Sequence, residues 1–153
     1  MAFRKVDNSG RVLNVAGDFL SSNVHTIDVV GIKDGVSINA GTFAKIDTGK
    51  QDIATASGEA FGVNVLGTTD YGKTNEDNAS INNPELLTRG DAFVILDSSI
   101  TTQPTYGDGA DIGGDGKVNS VTSGAKGGID GYFIGIAGET TINGELVACF
   151  RLL

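Results

Sequence analysis

Gly131–Leu153 reads GYFIGIAGETTINGELVACFRLL, with Asn143-Gly144 between two runs rich in β-branched and aromatic residues. An Asn-Gly pair in that setting predicts a β-hairpin, because both central residues of a two-residue type I′ loop take positive φ. After the turn, Leu146, Ala148, Phe150 and Leu152 fall on one face and Glu145, Val147, Cys149 and Arg151 on the other. That period of two belongs to a strand. The two-residue loop sets Ile142 opposite Glu145 and Thr141 opposite Leu146. Carried on unbroken, the register would put Glu139 against Ala148 on the apolar face. One extra residue at Gly138 removes the conflict, bringing Ile136 to Phe150 and Ile134 to Leu152. The sequence therefore predicts a β-bulge at Gly138, and a terminus at Leu153 tied into a sheet.

Further strands are expected upstream. His25–Ile32 is one, closed by a turn at Lys33-Asp34-Gly35. Val36–Asp47 is a second, interrupted at Ala40-Gly41, and Ile53–Thr55 and Phe61–Leu66 are further candidates. Gly67–Pro84 is a polar surface loop by composition. Asn83-Pro84-Glu85 ahead of Gly90 frames one helical turn, with Asn as cap and Pro at the first position. Ala92–Leu96 (AFVIL) predicts a strand buried on both faces. Thr101–Gly128 is loop-rich, with two Gly-Asp-Gly turns and a short strand at Lys117–Thr122. Gly41–Asp47 echoes Gly90–Asp97, and Phe61-Gly62-Val63 echoes Ile134-Gly135-Ile136, as two halves of one sheet system would. No stretch carries a helical apolar stripe, so the class is all-β, a small barrel or sandwich.

With 153 residues the chain has the size of one domain and can bury roughly 70% of its unfolded surface. Its 23 glycines follow no fixed period, which excludes collagen. A single cysteine, Cys149, allows no internal disulfide and no cysteine-based metal site, and its strand position marks it as a small packed side chain. No apolar run reaches the ~20 residues of a membrane helix, and MAFRKVDNSG lacks the apolar core of a signal peptide. These features predict a soluble protein made in a cytoplasm. The net charge is −8, yet Arg4, Lys5 and Arg11 against Asp7 and Asp18 leave Met1–Ser22 at +1 and the remainder at −9. An acidic body repels phosphate and argues against direct nucleic-acid binding. Met1–Ser22 has no sustained periodicity, only apolar spots at Val12, Leu13, Val15, Phe19 and Leu20. It reads as a frayed terminus or as an extended arm that orders on a partner, and the apolar spots favour the arm. The expected division is an arm over 1–22 and a single β-rich domain over 23–153.

Candidate chemistry is thin. Gly67–Thr74 (GTTDYGKT) matches the phosphate-loop pattern, and Ala92–Asp97 mimics the apolar strand whose Asp would hold Mg²⁺. That mechanism needs a helix whose first amides face the phosphates. Thr74 is followed instead by a polar stretch and Pro84, so the match reads as chance. Asp108, Asp111 and Asp115 suggest a hard cation, but their offsets break the EF-hand pattern and they read as Asp-Gly turns. His25 is the only histidine, and its pairing with Ser21, Ser22 or Cys149 rests on nothing but availability; it reads as a solvent-facing strand residue. Glu59, Glu139 and Glu145 could flank a sugar. Without Trp, and with only Tyr71, Tyr106 and Tyr132, there is little for a sugar ring to stack on. No enzyme activity, cofactor or metal is expected.

Gly41–Asp47, Phe61–Val65, Leu87–Asp97, Asp115–Val118, Phe133–Ile136 and Leu146–Leu152 together resemble the head decoration (cement) proteins of tailed bacteriophages. The likeness spans Val36–Leu153 and is one of layout: a Gly-Asp-strand unit, an Asp-Gly-Lys hairpin, an apolar-Gly-apolar strand and a terminal apolar strand. It implies a compact β-tulip or small barrel, commonly a homotrimer. Such proteins sit on the outer capsid surface of the virion, with N-terminal arms over the major capsid protein. The arm residues implied as contacts are Phe3, Arg4, Lys5, Arg11, Val12, Leu13, Phe19 and Leu20. Alternatives are another structural β module (tail-tube, fibre or surface-layer component) or a carbohydrate-binding module using Tyr71, Tyr106 and Tyr132.

Overall fold

The computed structural model describes residues 14–29, 31–32, 39–46, 52–55, 62–65 and 85–153. Among them are ten strands and no helix: β1 (Thr26–Val29), β2 (Gly31–Ile32), β3 (Phe43–Ile46), β4 (Asp52–Thr55), β5 (Gly62–Val65), β6 (Glu85–Ile95), β7 (Gly109–Ile112), β8 (Val118–Thr122), β9 (Gly131–Ala137) and β10 (Val147–Leu152). Eight form one sheet in the order β2-β4-β3-β5-β6-β10-β9, with β1 also paired to β6, and β7–β8 form a separate hairpin. The expected all-β class holds. The sheets are antiparallel apart from the short β2–β4 pair.

β6 is the axis of the sheet. Glu85–Gly90 begins this strand and is not the expected helical turn, because Leu86 and Leu87 are needed as buried strand residues. Leu87 is flanked by Ile27 of β1 on one edge and Val63 of β5 on the other. Past Gly90 the partners change, and Ala92 lies between Phe19 on one edge and Phe150 of β10 on the other. Alternation then buries both faces, as the AFVIL run predicts. Ala92, Val94 and Leu96 enter one apolar cluster with Phe43, Phe133, Ala148 and Phe150, while Phe93 and Ile95 enter a second with Val147 and Cys149. The β7–β8 hairpin closes the first cluster with Ala110 and Val118. It is tied down by Asp97 N to Val118 O (2.7 Å) and Phe43 N to Gly116 O (2.9 Å).

No barrel closes among the described residues. The free edge of β9 is already occupied by a loop, since Gly107 N donates to Phe133 O and Phe133 N donates to Asp108 O. A covered edge satisfies its backbone groups without another strand. The sequence echo is partly borne out. Phe43 of β3 pairs directly with Val63 of β5, whereas β10 separates β6 from β9.

The C-terminal hairpin forms, with two corrections. Thr141 N donates to Glu145 O and Gly144 N to Thr141 O, so the loop is the three residues Ile142-Asn143-Gly144, with Thr141 opposite Glu145. Only Gly144 takes positive φ (83°), as in a turn closed by a glycine bulge, so the type I′ reading fails at Asn143. The irregularity in β9 sits at Gly135 (φ 80°) rather than at Gly138. Ala137 pairs with Ala148 and Phe133 with Phe150, leaving three residues of β9 against one of β10. Phe133, not Ile136, therefore meets Phe150. Gly138 answers a different need, because a Cβ there would sit 2.6 Å from Asn14 O and from Val147 Cγ1. Leu153 N bonds Asp130 O, consistent with the expected tie into a sheet.

The start of the body also differs from expectation. Gly17 N donates to Phe93 O, Phe93 N to Asp18 O and Leu20 N to Asp91 O, each at 2.9 Å. Val15 and Ala16 are buried, and Asp18 accepts from Asn14 N and Phe19 N. Residues 14–20 are thus an edge segment of the sheet. The apolar spots Val15, Phe19 and Leu20 fill this edge rather than belonging to a free arm.

Candidate functional site

Cross-strand pairing of β6 and β10 places Asp91 opposite Arg151. Arg151 Nε and Nη2 reach the Asp91 carboxylate at 2.7 and 2.9 Å, a two-point contact that fits the fork of the guanidinium. Asn23 Nδ2 donates a further bond of 2.6 Å. Asp91 is 1% exposed. The Arg151 hydrogen bonds outweigh the burial and hold its carboxyl below the usual carboxylate range, while the same contact raises the guanidinium. The outer side of Arg151 lies over the Tyr132 ring, 5.9 Å from its centroid, and Tyr132 meets Tyr106 edge-on at 5.5 Å. A row of polar and aromatic groups thus runs from Asn23 to Tyr106.

Two clefts flank this row and share Leu153. One, of about 460 Å³, is lined by Asn23, Val24, Arg89, Asp91 and Arg151, and the other, of about 280 Å³, by Tyr106, Lys126, Asp130 and Tyr132. The sequence names Tyr106 and Tyr132 as candidate sugar-stacking residues, and the structure brings these two together, but Asp91 and Arg151 were not singled out. The signal for that pair was nonetheless available: aligning AFVIL antiparallel with VACF sets Asp91 beside Arg151.

The other carboxylates support the fold. Asp108 is buried and accepts from Gly124 N (2.9 Å), Thr105 N (2.9 Å) and Thr105 Oγ1 (3.1 Å); the Gly124 bond is foremost in lowering its pKa. Asp111 accepts from Gly128 N and Ser120 Oγ, and Asp115 from Lys117 N. Asp115 sits in an Asp-Gly turn as the sequence suggested and Asp108 immediately precedes β7, whereas Asp111 lies on β7 itself; each carboxylate accepts from loop backbone. Among the described residues no group of His, Cys, Asp and Glu could hold a metal ion. Glu145 is buried against Lys117, whose pKa is raised by that contact, so the pair pins the β7–β8 hairpin to the final turn.

Catalytic groupings do not assemble among the described residues. His25 is exposed, with Nδ1 at 2.8 Å from Asn23 O and its ring edge-on to Phe19 at 5.3 Å, and neither Ser21 nor Ser22 bonds it. Asp97, the would-be Mg²⁺ ligand, accepts from Ser99 N and Ser99 Oγ. The Gly67–Thr74 loop, Glu59 and Tyr71 lie outside the described residues, and Glu139 N bonds Asn14 O.

No model of a known protein family and no curated protein matches the chain.

Of the expected arm contacts, Phe3, Arg4, Lys5, Arg11, Val12 and Leu13 lie outside the described residues. Phe19 packs against the first apolar cluster and Leu20 against the second, so these two are half-buried parts of the body. Cys149 is fully buried, and that burial pushes its thiol up to about 12. The thiolate is the reacting species, so the native protein is expected to resist a disulfide reagent at pH 8 and to react fully once unfolded in guanidinium. Stoichiometric labelling of the native chain within minutes would show that the β10 faces are not packed as described.

Proposed function

We propose that this chain is a virion structural protein, a decoration (cement) protein that binds the outer surface of an assembled tailed-phage head and stabilises the major capsid protein lattice. The observation that carries this reading is spatial. Segments scattered through the sequence that bear the resemblance, Phe61–Val65, Leu87–Asp97, Leu146–Leu152 and Phe133–Ile136, supply the adjacent strands β5, β6, β10 and β9 of one sheet. Asp115–Val118 forms the turn of the β7–β8 hairpin that packs on that sheet and opens its second strand. Around it, Asp97, Asp108, Asp111 and Asp115 accept hydrogen bonds from nearby turn, loop and strand groups, and Asp91 and Glu145 tie neighbouring elements together.

The proposed mechanism is selective binding. A protein that binds the expanded lattice but not free subunits stabilises the lattice by mass action, and several modest contacts in one oligomer combine through effective concentration. In this reading the arm shortens to residues 1–13, because 14–20 are committed to β6. Phe3, Arg4, Lys5, Arg11, Val12 and Leu13 are the proposed contacts on the major capsid protein.

Deleting residues 1–13 tests this directly. The truncated chain is expected to keep the circular dichroism and thermal midpoint of the full chain, and to lose coating of expanded heads in a pelleting assay. Unchanged affinity of the truncated chain for heads would overturn the arm assignment.

A further inference from the structure

Tyr106 and Tyr132 are two of the three tyrosines of the chain, and the fold brings both to the cleft of about 280 Å³. Their ring planes stand at 62° with centroids 5.5 Å apart, so the pair makes a corner rather than a stack. One side of that corner is fixed. Arg151 lies over the Tyr132 ring and donates to its hydroxyl from Nη1 (3.5 Å), and Arg151 is itself held at two points by the buried Asp91 carboxylate. The other side is open, since Tyr106 is 67% exposed. Gly107 (φ 92°) and Gly124 (φ 63°) line the same cleft, and a Cβ added at either would meet nothing within 4 Å. Backbone without side chains thus borders free space beside an aromatic corner. Lys126 and Asp130 complete the lining as an exposed ion pair of 3.3 Å.

We propose that this cleft binds one neutral pyranose unit of a glycan, an activity independent of attachment to a head. Size comes first. The volume lies at the small end for ligand sites, room for a single ring rather than for an extended partner. Charge then removes the ionic ligands. An anion meets Asp130 and the Leu153 carboxylate, while a cation meets Lys126 and finds the Tyr132 ring already taken by Arg151. What the lining does match is a sugar. Lys126 and Asp130 set donors beside acceptors, as hydroxyls that both donate and accept require. The C–H face of a pyranose is weakly positive and packs on the negative face of an aromatic ring, the surface Tyr106 leaves open. The Asp91–Arg151–Tyr132 row holds one wall of the corner in place beforehand, which limits the ordering cost of binding.

The chain has no tryptophan, so tyrosine emission reports on the cleft directly. In full-length Tyr71→Phe the only tyrosines left are Tyr106 and Tyr132. Titrating that protein with the methyl glycosides of glucose, galactose, mannose and N-acetylglucosamine is expected to give a saturable change with at least one of them, at a Kd of about 1 mM. Saturation-transfer NMR on the sugar protons follows the variants without relying on tyrosine emission. Tyr106→Ala is expected to weaken binding at least about tenfold with unchanged dichroism, whereas Tyr106→Phe keeps the ring and stays within about twofold of wild type. Lys126→Met with Asp130→Asn is expected to weaken binding about tenfold. Ile142→Ser, on the final hairpin and outside the cleft, is expected to change nothing. No saturation by any of these glycosides below about 20 mM, or equal binding by Tyr106→Ala, would overturn the proposal. Tetramethylammonium bound in place of sugar and lost in Tyr106→Ala would also overturn it, assigning the cleft to a cation. Sugar binding retained by a chain lacking residues 1–13 is the expected result, and shows the cleft acting apart from the arm; its loss there would overturn the independence proposed.

Discussion

Phe150→Ala is expected to cost about 4 kcal/mol of folding stability. Phe150 is fully buried on β10, edge-on to Phe133 at 5.0 Å and to Phe43 at 6.0 Å. Truncation removes its transfer free energy, opens a cavity between two rings that lie on different strands, and abolishes two aromatic contacts. The neighbours cannot close that space cheaply, because Phe43 is bonded through its N to Gly116 O and Phe133 through both backbone groups to the 107–108 loop. Since a domain holds only about 5–15 kcal/mol, the variant should be close to unfolding at room temperature. Phe150→Leu keeps most of the apolar volume and is expected to lose about 1–2 kcal/mol, which keeps the comparison measurable by urea denaturation. If alanine cost no more than leucine, the three-ring cluster would not be the centre of the core.

The same ring shows where sequence reading succeeds and where it stops. Period two on Leu146–Leu152 placed Phe150 facing inward, and the unbroken AFVIL run marked β6 as buried on both faces. Both inferences rest on local alternation and survive tertiary packing. The partner of Phe150 depended on register, which accumulates every error in turn type and bulge position. Asn143-Gly144 allowed a two-residue loop, but the Thr141 side chain accepts from Glu145 N and helps set a three-residue one instead. A bulge at either Gly135 or Gly138 suits glycine; only the approach of Asn14 to Gly138 explains why that second glycine is required for space. The arm boundary was illegible for a related reason. Val15, Phe19 and Leu20 show no sustained period of their own, because their pattern is set by the edge of β6, some seventy residues further along the chain. The cross-strand Asp91–Arg151 pair, by contrast, needed only the pairing of the two most apolar strands, and the clefts around it follow from no local pattern at all.

Arg151→Met is expected to destabilise the fold by about 2–3 kcal/mol at pH 7, less than the loss for a fully buried pair because the arginine is partly solvated. The methionine keeps much of the packing over Tyr132, so the cost arises from leaving Asp91 buried with Asn23 as its remaining side-chain donor. Asp91→Leu with Arg151→Met removes both charges and is expected to recover most of that stability, whereas the pair's absence from one side alone cannot. The pH dependence separates this account from simple loss of contact area. In the wild type the Asp91 carboxyl lies below its ordinary value, so the pair contributes fully above that value and its contribution fades as the pH falls through the lowered folded pKa. In Arg151→Met the unpaired buried carboxyl is raised instead, so the folded form takes up a proton earlier than the unfolded chain and gains stability on acidification. The difference between the two proteins should therefore shrink steadily from pH 7 to pH 4 in parallel urea titrations. A difference that stays constant over that range would mean Arg151 supports β10 by packing alone, and that the row from Asn23 to Tyr106 is not organised by charge.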